Sequence, residues 1–78
     1  MVPIEIKLAR MRLGLTQQNM AEELGISVVT YSKKETGKVR FTDREKILVA
    51  RKLNLNLGQF NEYFYNGELP AGVIGAQE

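Results

Sequence analysis

The stretch TQQNMAEELGISVVTYSKKETG at residues 16–37 decides how this chain folds. Thr16 is a good helix N-cap, because its hydroxyl can accept from one of the free amides at a helix start. Behind it, Met20, Ala21 and Leu24 fall on one stripe at helical spacing, and Gly25 ends the segment. Ser27 then offers a second N-cap, for a helix from Val28 to Thr36 that Gly37 terminates. Two helices of about two turns each therefore meet at Gly25-Ile26-Ser27. A junction that short fixes the angle between them.

Outward from this pair, the same signals repeat. Upstream, Pro3 suits a first helical turn, Ile6, Ala9 and Leu13 share a stripe, and Gly14 stops it. Downstream, Thr42-Asp43-Arg44-Glu45 matches a capping box, followed by Ile47, Val49, Ala50 and Leu53 as a buried side. Asn54 to Asn56 form a turn before Leu57, Phe60 and Phe64, and a fifth helix ends at Asn66-Gly67. No segment sustains period-two alternation, so the expected fold is all-α, a compact five-helix domain over residues 1–67. Residues 68–78, with Pro70, Gly72 and Gly75, have no period and read as a C-terminal tail, flexible or partner-binding, with Val73 and Ile74 as its apolar part. There is no internal repeat.

Composition narrows the function. A chain of 78 residues has room for one domain, and 44% hydrophobic with 26% charged residues is an ordinary globular balance. Cysteine and histidine are absent, which removes disulfides, thiolate chemistry, imidazole bases and most transition-metal ligation. Glu22 and Glu23 are adjacent on a helix and cannot converge on one substrate as a carboxylate pair. An enzyme is not expected, nor is any cofactor or metal. No apolar run approaches the roughly 18 residues of a membrane span, and the start lacks the pattern of a secretory leader, so a cytoplasmic protein is expected. The formal charge is only +2, but it is unevenly placed. Lys7, Arg10, Arg12, Lys33, Lys34, Lys38 and Arg40 outweigh the acids of residues 1–40, whereas acids prevail after residue 41. A basic N-terminal half fits a phosphate-backbone partner and equally fits an ordinary solvated face.

A helix-turn-helix needs an αL-tolerant residue at its turn, an apolar residue packing inward beside it and a small residue near its start. Gly25, Ile26 and Ala21 supply these. An ordinary helical bundle also places Gly between helices, so the spacing alone leaves both architectures open.

Agreement along the chain goes further. Ile6-Lys7-Leu8-Ala9-Arg10, Leu15-Thr16-Gln17, Met20-Ala21-Glu22-Glu23-Leu24-Gly25-Ile26-Ser27, Tyr31-Ser32-Lys33-Lys34-Glu35-Thr36-Gly37-Lys38 and the stretch from Leu53 to Phe60 resemble the phage repressor and Cro helix-turn-helix family (XRE-type), over roughly residues 4 to 67. The resemblance implies that the helix after Ser27 enters the major groove of double-stranded DNA, with Val28, Val29, Ser32 and Lys33 at base-contacting positions. It places phosphate contacts at Thr16 and Gln17, where a helix N-terminus favours anions, and at Thr36, Gly37, Lys38 and Arg40. Arg10 and Glu35 match an intramolecular ion pair and are assigned to structure. Tyr31, Phe60 and Phe64 are read as core.

Lys34 departs from the family by putting a charge on the inner side of the recognition helix, where its stem must snorkel past Tyr31 or leave the core thinner. Phe41 stands where Pro is common, and Asp43 and Lys46 stand where the fourth helix is commonly apolar, with Phe41 and Ile47 available to compensate. The implied function is a phage or prophage regulator acting as a homodimer on a palindromic operator. The surface near Asn54 to Gly58, the fifth helix and the tail are candidate interfaces. Other readings of the same residues are a restriction-modification controller, an antitoxin, or an antirepressor whose partner is another phage repressor protein. Lys34 and the mild net charge favour the last.

Overall fold

Caps and glycines set the helix boundaries in the computed structural model of this chain, which describes residues 1–67; the tail expected at 68–78 lies outside the described residues. Helix α1 (Pro3–Arg12) begins on proline. Its N-cap Val2 has no capping side chain; instead the Val2 N–H donates to the Tyr63 carbonyl at 2.7 Å, anchoring the start of the chain to the last helix. Helix α2 (Gln17–Leu24) is capped by Thr16, whose hydroxyl accepts from the Asn19 N–H at 3.0 Å while Asn19 Oδ1 accepts from the Thr16 N–H at 2.9 Å. Gly25 closes α2 in the left-handed conformation, at φ 69°. Helix α3 (Val28–Glu35) starts on Ser27, and α4 (Asp43–Lys52) on the Thr42/Glu45 capping box. Helix α5 (Leu57–Tyr65) starts on a further reciprocal cap between Asn56 and Gln59 and ends at Asn66 with φ 53°. Among the described residues these five helices are the whole of the regular structure, so the all-α expectation holds.

The helices converge on Ile6, Met20, Tyr31 and Val49, which are fully buried, and α2 packs against both α3 and α4. Burying side chains of this size contributes about 1.5–3 kcal/mol each. Phe41, in the link between α3 and α4, extends the core sideways. Its ring sits 6.1 Å from Tyr31 and 5.7 Å, edge-on, from Phe64, and Phe60 continues the row.

Two residues expected inside are outside. Leu13 is the C-cap of α1, past the last helical residue, and the loss of helical register turns its side chain to solvent. Ile47 is 48% exposed, because the buried face of α4 runs through Glu45, Val49 and Leu53, at steps of four that leave Ile47 on the far side. Leu57, at the first position of α5, is also exposed. Of the two compensating residues proposed for α4, Phe41 fills the core and Ile47 does not.

Candidate nucleic-acid interface

Helix α3 divides its residues by face. Tyr31, Lys34 and Glu35, at steps of three and one, are buried. Val29 and Lys33 lie opposite them, with Val28 and Ser32 on the flank between. Val28 is 38% and Val29 62% exposed, Lys33 is exposed and Ser32 is half-buried. Neither valine is core, and Val29 is the more open of the two. The four positions implied to meet base edges thus share one outward face.

What holds that face in place is an ionic network centred on Glu35. Its carboxylate accepts from Arg10 Nε at 2.9 Å and Nη2 at 3.1 Å, from the Tyr31 hydroxyl at 2.6 Å and from Gln17 Nε2 at 3.3 Å. Arg10 Nη1 also donates to the Leu15 carbonyl at 2.7 Å. One carboxylate therefore links α1, the start of α2 and α3. Burial alone would push the Glu35 carboxyl up, but the hydrogen bonds from Arg10, Tyr31 and Gln17 together outweigh it and hold the group below its ordinary value. The bond to Glu35 raises the Arg10 guanidinium, and burial, followed by the same carboxylate, raises the Tyr31 phenol. Tyr31 lies four residues before Glu35 on the same helix, a spacing that makes them neighbours, whereas Gln17 is brought to Glu35 only by the fold.

Lys34 does not snorkel to solvent. It is 7% exposed and its ammonium is hydrogen-bonded to Glu45 Oε1, with side chains on both sides of the pair buried. The same Glu45 oxygen accepts from the Thr42 N–H at 2.8 Å, closing the α4 cap. Burial would raise the Glu45 carboxyl, but Lys34 and then Thr42 bring it below its ordinary value. The charge inside α3 thus meets the capping acid of α4. Lys46, the second charge on α4, lies 4.3 Å over the Tyr65 ring and 3.2 Å from its hydroxyl, while Asp43 is exposed.

The remaining positions flank α3. At the start of α2 the capping box uses the Asn19 and Thr16 amides, and helical geometry leaves those of Gln17 and Gln18 without intrahelical acceptors. The Gln17 side chain is partly committed to Glu35. After α3, the Thr36 hydroxyl turns back onto the Ser32 and Lys33 carbonyls at 3.0 and 3.2 Å. The amides of Thr36, Gly37, Lys38 and Val39 are likewise bonded to carbonyls of the last turn of α3. Lys38 and Arg40 are exposed and form no ion pair among the described residues. Gly37 has φ 85°, and a Cβ there would lie 3.2 Å from Pro3 Cγ, so its small size serves the approach of α1.

Among the described residues no group of His, Cys, Asp and Glu side chains could hold a metal ion, and no helix is long and apolar enough to cross a membrane. A helix-turn-helix family model matches residues 6–60. No curated protein and no solved structure matches significantly. The family match runs from within α1 to the first turn of α5, including the α2-turn-α3 unit and the Glu35 network. This chain belongs to the XRE-type (Cro/C1-like) helix-turn-helix family of DNA-binding transcriptional regulators.

Proposed function

We propose that this chain is a phage or prophage repressor that binds a palindromic operator as a homodimer, with α3 in the major groove. The observation that carries it is the single exposed face of Val28, Val29, Ser32 and Lys33, clamped from behind by Glu35 and Lys34. Lys33 donates to guanine O6 and N7, Ser32 donates or accepts, and the valine methyls pack on thymine C5 methyls. Thr16 and Gln17 present the amide end of α2 to one phosphate, and Lys38 and Arg40, with Thr36 and Gly37 shaping their loop, meet another. Regulation follows from occupancy of a promoter, by occlusion or by recruitment. The phage assignment rests on the repressor and Cro resemblance. Two copies double the DNA surface that one small module can bury, and place half-sites about one helical turn apart.

Selection from random duplexes tests this in one measurement. Enrichment of a palindrome with guanine and thymine in each half is expected. A selected set with no sequence preference, or with a single unrepeated site, would count against it. Of the two features that favour the antirepressor alternative, Lys34 is a buried partner of Glu45, while the mild net charge stands. If no duplex binds at low salt but a second repressor does, that alternative stands instead.

A further inference from the structure

Helix α1 is apolar on two faces. Ile6 and Ala9 point into the core, while Ile4, Leu8 and Met11, at steps of four and three, are 53%, 36% and 54% exposed. At 3.6 residues per turn the second stripe lies about half a turn from the first. A helix lying on one core keeps its outer side polar; one that is apolar all round belongs inside a larger packed body. Beside the outer stripe, Glu5 and Arg12 share one flank, seven residues apart, and neither forms an ion pair among the described residues.

We propose that a second copy of this chain docks on this face, its α1 running antiparallel about a two-fold axis at Leu8. The pattern of Glu5 and Arg12 is self-complementary in that direction. Antiparallel pairing sets Ile4 against the partner's Met11, Leu8 against the partner's Leu8, and Glu5 beside the partner's Arg12, the last contact made twice by symmetry. Parallel pairing would instead turn Glu5 toward the partner's Lys7 and leave Arg12 without an acid. Lys7 lies on the opposite flank near the axis, where its like-charged counterpart limits affinity. One helix face from each copy falls at the low end of specific interfaces, below about 1,200 Å² in total, so the contact is weak in free solution and tightens when two copies share one duplex. Near Asn54 to Gly58, the surface favoured by sequence, Leu57 is the one large apolar side chain that is exposed. The inference rests on the homodimer of the proposed function and names its surface.

The chain has no cysteine, so single cysteines report the contact directly. On mild oxidation of the full chain, Leu8→Cys is expected to form a disulfide-linked dimer. Ile4→Cys mixed with Met11→Cys is expected to give the mixed dimer over either homodimer, and Leu57→Cys to give little. In sedimentation equilibrium, Glu5→Arg or Arg12→Glu weakens self-association about ten-fold, and the double swap restores it. A monomer at every concentration, cross-linking at Leu57→Cys in place of Leu8→Cys, self-linking of Ile4→Cys, or a double swap as weak as the singles each overturns the proposal. Anisotropy with an isolated half-site keeps the DNA question separate. Unchanged half-site affinity in the swaps is expected, and its loss there alone would make this face a DNA contact and also overturn the proposal. Loss of half-site binding by the unaltered chain would sink the operator reading while leaving the cross-links to decide the contact.

Discussion

Lys33 and Lys38 carry the same charge and occupy different ground. Lys33 stands on the outward face of α3, whereas Lys38 lies beyond its end in a loop whose amides are already bonded. Lys33→Ala is therefore expected to cost about 1–3 kcal/mol and to relax preference at one position of each half-site. Lys38→Ala should weaken all duplexes alike and lower the salt slope by about one. Affinities for a set of single-base operator variants at several salt concentrations separate the two; equal, sequence-independent losses would remove Lys33 from base readout. The exposure of Val29 supports a companion expectation. Val29→Ala should leave folding stability within about 0.5 kcal/mol and still alter preference at a thymine. A thermal melt that fell by much more would return Val29 to the core.

The coupling of α3 to α4 is a property of elements. Glu45 caps α4 through the Thr42 amide and holds the buried Lys34 ammonium, so it joins the recognition helix to the next helix by one side chain. Glu45→Gln preserves a capping residue but leaves Lys34 buried without a counter-charge, a loss of about 3–5 kcal/mol. That is a large share of the stability of so small a domain. Lys34→Met together with Glu45→Gln should recover most of it, because replacing both charges of a buried pair is often neutral. Denaturant unfolding of the two single variants and the double variant checks the sign. A double variant no more stable than Glu45→Gln would show that the pair contributes through something other than mutual compensation. Ser27→Ala tests the cap of α3 on its own, with about 1 kcal/mol expected from the lost hydroxyl acceptor.

For the whole molecule, the two buried carboxylates govern the response to acid. Glu35 and Glu45 both lie below their ordinary values when folded, so the unfolded chain takes up protons first as pH falls. Their stabilisation is complete above the ordinary carboxylate range and is lost as pH falls through the folded values. The melting temperature is thus expected to be flat from neutrality to about pH 5 and to drop steeply below it. The Lys34→Met, Glu45→Gln double variant should show a shallower drop, and an identical profile would leave Glu35 as the sole source. At the alkaline end, burial raises the Tyr31 phenol, so stability should decline once pH passes the 10.0 of an unburied tyrosine.

Helix existence and caps were legible along the chain because each depends on neighbours within four residues, and the family because its motifs agree over nearly the whole domain. Thr16, Ser27 and Thr42 start helices where their hydroxyls dictate, Gly25 ends one, and the spacing of Met20, Ala21 and Leu24 marks a buried side. The outward placement of Val28 and Lys33 follows from the same periodicity. Only the tertiary structure decided the rest. Whether Leu13 and Ile47 lie inside depends on where a helix stops and how it is rotated, and periodicity cannot fix a rotation when a buried acid shares the inner face. The fate of Lys34 turned on Glu45, eleven residues away, and that of Gln17 on Glu35, since a buried charge is settled by what folding brings beside it.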